Sequence, residues 1–200
     1  MKNIKAILIA AIFSVLSSFS FAQGGGLWNF QWDMGFGTGD TKTFVDGAPS
    51  FRGASIEGRS FVTDNITLGG RVSWNTFYKD FGRITRTQGT ATLTGYNKRY
   101  INDIPILFTA HYYFNNATVM PYIGLGVGTY YIETRDQMGI YYLEDKAWHF
   151  GLAPEAGVVV PFGNSNTGAT VNFRYNTAFK TKDTSAQSWI GISIGISYLF

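Results

Sequence analysis

Ser188-Trp189-Ile190-Gly191-Ile192-Ser193-Ile194-Gly195-Ile196-Ser197-Tyr198-Leu199-Phe200 ends the chain on a strict alternation. Ile190, Ile192, Ile194, Ile196, Tyr198 and Phe200 are large and apolar, while Gly191, Ser193, Gly195, Ser197 and Leu199 between them are mostly small or polar. A period of two describes a strand with one apolar and one polar face. In water so exposed an apolar ladder invites edge-to-edge aggregation. Against lipid that hazard disappears, so the stretch predicts the closing strand of a transmembrane β-barrel.

Composition agrees. The chain has 200 residues, of which 17% are aromatic and only 14% charged, with 24 Gly and no Cys. Mean hydropathy is −0.01, too low for a helical membrane protein but compatible with a barrel, where alternate residues face lipid. No run beyond the N-terminus approaches the length of a transmembrane helix. At the N-terminus Lys2 and Lys5 precede an apolar run from Ala6 to Leu16, and Ser20-Phe21-Ala22 reads as a small-x-small cleavage site. The expected division is a signal peptide over 1–22, read by the Sec system, and a barrel domain over 23–200. The 16 Lys and Arg face 13 Asp and Glu. Losing Lys2 and Lys5 leaves 14 against 13, about +1, which gives no reason to expect nucleic acid as a partner. The absence of Cys excludes disulfides and a lipid-modified N-terminal Cys.

Alternation recurs seven more times. Strands are expected at about Leu27 to Thr38, Phe51 to Thr63, Ile66 to Thr76, Asn102 to Phe114, Val119 to Glu133, Trp148 to Phe162 and Ala169 to Phe179. Pro105 is awkward in a central strand and predicts a bulge or a strand start. Asp64-Asn65, Asn115-Asn116 and Gly163 to Gly168 are short turns. Gly39 to Ser50, Lys79 to Arg99, Thr134 to Lys146 and Lys180 to Gln187 are longer loops, the second able to extend its flanking strands as a hairpin. Short turns on one side and long connections on the other are the membrane-barrel asymmetry. Eight strands then place both termini on the short-turn, periplasmic side. Aromatic residues at strand ends form two girdles, with Trp28, Phe114, Phe162, Tyr198 and Phe200 at one level and Tyr131, Trp148, Phe179 and Trp189 at the other. A soluble ligand-binding barrel would put Lys and Glu on its outer face; here the non-apolar face is Gly, Ser, Asn and Thr. The fold class is all-β, an eight-stranded antiparallel up-and-down transmembrane barrel.

The inward face carries Asp33, Glu57, Arg59, Arg71, Asp103, His111, Glu155 and Arg174. A selective pore would show one sign of charge. Mixed signs in a barrel just wide enough for side chains predict mutual pairing and a filled polar lumen. The alternative is a narrow channel or transporter for small or hydrophobic solutes, gated by Glu57, Glu155, Arg71 and Arg174. Gly124, Gly126 and Gly128 leave space for large neighbours such as Tyr122 and Tyr130, or for a small apolar ligand. Two His and no Cys offer no metal-ligand cluster, and no cofactor is expected. Neither His111 nor His149 has a Ser in a matching local pattern, so no enzyme is expected.

Ser193-x-Gly195-x-x-Tyr198-x-Phe200 resembles the C-terminal signal of outer-membrane barrels: polar, x, Gly, x, x, aromatic, x, aromatic. Pro121-Tyr122-Ile123-Gly124-Leu125-Gly126-Val127-Gly128 resembles the fifth-strand region of small outer-membrane barrels of the OmpA/OmpW-like type. Ile104-Pro105-Ile106 and Leu152-Ala153-Pro154-Glu155-Ala156-Gly157 are similar to members found in Bacteroidetes-type bacteria. The resemblance implies the outer membrane of a Gram-negative bacterium, with its lipid and lipopolysaccharide as surroundings. It also implies the barrel-assembly machinery and periplasmic chaperones as partners in biogenesis, with Ser193, Gly195, Tyr198 and Phe200 as the assembly signal. The OmpW type implies passage of small hydrophobic compounds, which no single residue here singles out.

Overall fold

A computed structural model describes residues 25–114, 119–163, 165–181 and 184–200. The signal-peptide region and the Asn115-Asn116 turn lie outside the described residues. The chain forms β1 (Gly26–Thr38), α1 (Gly39–Phe44), β2 (Ser50–Phe61), β3 (Ile66–Gln88), β4 (Ala91–Tyr113), β5 (Met120–Met138), β6 (Tyr141–Pro161), β7 (Thr167–Ala178) and β8 (Gln187–Leu199). Each strand pairs antiparallel with the next, and β8 returns to β1, closing the barrel in the expected order. The closing seam runs without a break from Leu27 opposite Leu199 to Thr38 opposite Ser188. No helix among the described residues is long and apolar enough to cross a membrane.

The period-two faces are as the alternation demands. Phe30, Trp74 and Ile196 are more than half exposed, at 56%, 56% and 59%, on an outer wall that is apolar throughout the barrel. Their strand neighbours Asn29, Asn75 and Ser197 are buried inside. An inside that is polar and an outside that is greasy is the inverse of a soluble barrel.

Four expectations change. Gly39 to Ser50 is not all loop, because Gly39–Phe44 winds into α1, which folds over the barrel mouth. Lys79 to Arg99 takes the hairpin form left open for it, extending its flanking strands, and Thr134 to Lys146 is not a loop but strand as well. β3 and β4 pair as far as Gln88 opposite Ala91, and β5 and β6 as far as Met138 opposite Tyr141. Pairing between β2 and β3 stops at Gly53 opposite Asn75, and between β6 and β7 at Gly151 opposite Ala178. The four central strands therefore stand clear of the barrel wall as a sheet, β3 running on from Thr76 for roughly 40 Å. Third, Pro105 makes no bulge and starts no strand. It lies within β4 opposite Tyr130, and the β3–β4 register is the same on both sides of it, from Val72 opposite Ile106 to Asn75 opposite Asp103. The missing N–H is absorbed by leaving the rungs between those pairs unmade. The bulge in this hairpin falls instead between Asp80 and Gly82, where Gly82 has φ +71° and donates its N–H to Asp80 Oδ1 at 2.8 Å. Fourth, Trp189 belongs to no girdle. It is 4% exposed and points inward, against Phe77 and Tyr130.

Candidate functional site

The lumen is built in three layers. At the end nearest the long hairpins, Val45, Phe77, Ile101, Ile132, Tyr130 and Trp189 pack into one apolar cluster. Val45 follows α1 and is fully buried, so the α1 segment supplies part of the stopper. α1 is held on both sides. Thr41 Oγ1 donates to Gln187 Oε1 at 2.7 Å and accepts the Ser188 N–H at 3.0 Å. On the sheet side Arg99 donates to the Phe44 carbonyl at 3.0 Å and lies over the Phe44 and Phe81 rings. At the opposite end Leu27, Tyr113, Tyr122 and Val159 form a second apolar cluster.

Between them lies the charge network. Glu57, Arg59, Arg71, Glu155 and Arg174 project from β2, β3, β6 and β7 because each sits at an inward parity position, and all are buried. Arg59 Nη2 lies 2.9 Å from Glu57 Oε2 and 3.0 Å from Glu155 Oε1. Arg71 reaches Asp33 at 2.9 Å and Glu57 at 3.5 Å, and Arg174 pairs closely with Glu155. His111 Nε2 donates to Glu155 at 2.6 Å, and its Nδ1 faces the Thr67 hydroxyl at 3.4 Å. Neutral side chains complete the shell. Thr109 donates to Glu57, Arg59 donates to Tyr113 and Tyr122, and Arg71 donates to Gln31 and Ser193. The Arg59 guanidinium also stacks 4.3 Å from the centre of the Tyr122 ring. Charges taken out of water hold only when paired and hydrogen-bonded in this way.

Asp103 stands apart from this network. It is 1% exposed, and neither carboxylate oxygen takes a hydrogen bond from the described residues. It lines, with Asp33, Arg71, Asn75, Arg174 and Trp189, a cavity of about 20 Å³ beneath the apolar stopper, space for about one water. Expected to join the network, it lies on the cavity's wall instead.

The expectation of no metal-ligand cluster also needs correction, since Glu57, His111 and Glu155 bring ligand atoms within 4.8 Å of one another. The set does not suit a cation. Three guanidiniums already crowd the two carboxylates, and His111 spends its Nε2 proton on Glu155. The glycine column of β5 holds no vacant slot. A Cβ on Gly124 would run into His111, and one on Gly126 would lie 3.1 Å from Leu107. Tyr130 and Tyr122 lie instead over Gly151 and Gly157 of the next strand.

Sequence reasoning missed the stopper and the shell. Trp189 shares the parity of Gly191 and Ser193, a signal that would have placed it inside. Val45 and the tether from Arg99 to Phe44 carried no periodicity to read.

No protein-family model matches the sequence, and no curated protein is significantly similar to it. Solved structures do match. Ail, the attachment invasion locus protein of Yersinia pestis, in complex with the heparin analogue sucrose octasulfate, is 12% identical over 90% of this chain and 100% of its own, with a TM-score of 0.56. Neisserial surface protein A is 16% identical over 89% of this chain and 100% of its own, with a TM-score of 0.58. The fold is that of small eight-stranded outer-membrane β-barrels.

Proposed function

We propose that the protein is an integral, non-enzymatic outer-membrane barrel whose lumen is filled by its own side chains and whose work is done at the cell surface by the sheet of β3 to β6. The single observation that carries this reading is the layering: two apolar clusters enclosing a paired charge network. That arrangement supports a plug rather than a path for solutes. The projecting sheet supplies the surface. Its β3–β4 hairpin carries Lys79, Arg83, Arg86, Lys98 and Arg99; Lys79 pairs with Asp46, and Arg86 and Arg99 share Asp136, so Arg83 and Lys98 are the pair suited to the phosphates of lipopolysaccharide or to sulfated glycans. Ail has been solved with a heparin analogue, which fits such a role without assigning it to this chain. The reading includes export by a signal peptide cleaved after residue 22, and assembly through a signal at Ser193, Gly195, Tyr198 and Phe200.

Planar-bilayer recording tests it. The purified barrel is expected to give no conductance steps. Steps abolished or enlarged by Glu57→Ala or Arg174→Ala would establish a channel in place of a plug.

A further inference from the structure

The outer wall carries a groove on the termini side. Trp28, Gly58, Gly70 and Phe108 occupy one row of the ladder across β1 to β4, each opposite the next. Two neighbouring positions without side chains lie between two aromatic rings. Trp28 leans over Gly58, where a Cβ would come within 2.9 Å of its ring. Gly70 stays bare, since the nearest heavy atom to a Cβ there is the Leu107 carbonyl oxygen at 3.8 Å. The resulting cavity of about 680 Å³ is walled by Val62, Leu68, Ile106, Phe108, Val127 and Phe200, and is apolar along nearly all its length. That size lies within the range of ligand pockets.

From this we infer that the groove is a binding site for one acyl chain of a periplasmic-leaflet phospholipid. The inference rests on the outer-membrane reading given above. The groove opens on the lipid-facing wall, so a hydrocarbon chain is the chemistry that meets it. The leaflet follows from charge. Toward the short-turn end the wall around the groove reaches the Thr63-Asp64-Asn65 turn, where Asp64 is the charged residue. Arg59, the basic residue beside the groove, is buried and turned into the lumen network. Lipid A needs basic partners for its phosphates, and the basic side chains Arg52, Lys79, Lys98 and Arg99 lie toward the opposite end. A phospholipid, particularly one with an amine in its headgroup to face Asp64, fits this end and lipid A does not.

Native mass spectrometry of the full barrel, extracted from outer membranes in mild detergent, tests the inference. The wild type is expected to retain a phospholipid. Gly70→Phe, which fills the groove where the backbone has room for a side chain, is expected to lose it. Ala54→Phe, an insertion of the same size on the lipid-facing wall outside the groove, is expected to keep it. Heat-modifiability on gels establishes that each variant is folded. Should Gly70→Phe fail to fold, Ile106→Trp on the opposite wall is expected to show the same loss. A wild type without lipid, equal retention in the groove variants, or lipid A in place of phospholipid would each overturn the inference. Absence of the protein from outer-membrane fractions would instead overturn the reading beneath it.

Discussion

Arg59 and Glu155 meet at 3.0 Å from opposite walls of the barrel, one on β2 and the other on β6. Neither faces its partner across a shared ladder. The contact exists only because the sheet closes. Glu155 also receives Arg174 and His111, so one carboxylate ties β2, β4 and β7 to β6.

Replacing Glu155 by Gln therefore leaves two buried guanidiniums short of a counter-charge. The expected loss is about 3–5 kcal/mol, the range for a buried pair broken from one side. Urea unfolding of the barrel in micelles measures it. A change under about 1 kcal/mol would mean that the network is hydrated and tolerant, against the filled-lumen reading.

The sheet beyond the barrel wall makes a topological prediction. Gly89 and Gly139, at the hairpin tips, have positive φ and no atom within 4 Å of a notional Cβ. An epitope inserted at Gly89-Thr90 should be displayed on intact cells and leave the barrel folded, because it disturbs no ladder rung. The same epitope at Asp64-Asn65 should stain only after permeabilisation. Reversed staining would invert the orientation.

The barrel strands were readable because lipid on one side and a polar lumen on the other impose a period of two. Beyond the wall that constraint lapses. Arg135 and Glu144 pair on one face of the β5–β6 hairpin at 3.1 Å, while Arg86, Arg99 and Asp136 meet on the other. With water on both sides each face carries paired charges, and Tyr141, Tyr142 and Leu143 follow one another without alternation, so strand reads as loop. In the lumen, parity picked out Glu57, Arg59, Arg71, Glu155 and Arg174 but not who pairs with whom. Partners depend on the stagger of closure, which no single strand encodes. Asp103 shows the limit, since the same parity put it inside yet beside a cavity rather than a cation.

Trp189 gives a direct check of the stopper. Trp189→Ala should cost about 3–5 kcal/mol, as for a buried Trp cut to Ala. Trp148→Ala, whose ring is 56% exposed on the lipid side, should cost markedly less. Equal losses would place Trp189 in the lipid girdle after all.

The hold on α1 is testable by labelling. Val45 is fully buried beneath the segment that Arg99 ties down through the Phe44 carbonyl and ring. Val45→Cys should resist a membrane-impermeant maleimide on intact cells. Adding Arg99→Ala should raise the labelling rate by about tenfold or more, which corresponds to loss of about 1.4 kcal/mol of closing free energy. An unchanged rate would mean that Thr41, through Gln187 and Ser188, holds the segment alone.

The final strand separates folding from assembly. Phe200 exchanges backbone hydrogen bonds with Gly26, donating at 3.0 Å and accepting at 2.7 Å, and its ring is 45% exposed. Phe200→Ala keeps those backbone bonds and removes a half-buried ring, so refolding in micelles should lose only about 1 kcal/mol. Gly195 and Ser193 differ. A Cβ on Gly195 would strike the Phe30 carbonyl across the closing seam, and Ser193 accepts a hydrogen bond from Arg71 at 3.2 Å. Gly195→Ala should therefore impair refolding in micelles as well as yield in cells, and Ser193→Ala should cost about 1.5–3 kcal/mol through the lost charged hydrogen bond. If Tyr198 and Phe200 serve as an assembly address, Phe200→Ala should cut the folded yield in outer membranes far more than its small loss in micelles accounts for. Equal, small effects in both settings would reduce the terminal pattern to the ordinary demands of a closing strand: a glycine where β1 passes close, a hydroxyl for Arg71, and aromatic rings at the lipid interface.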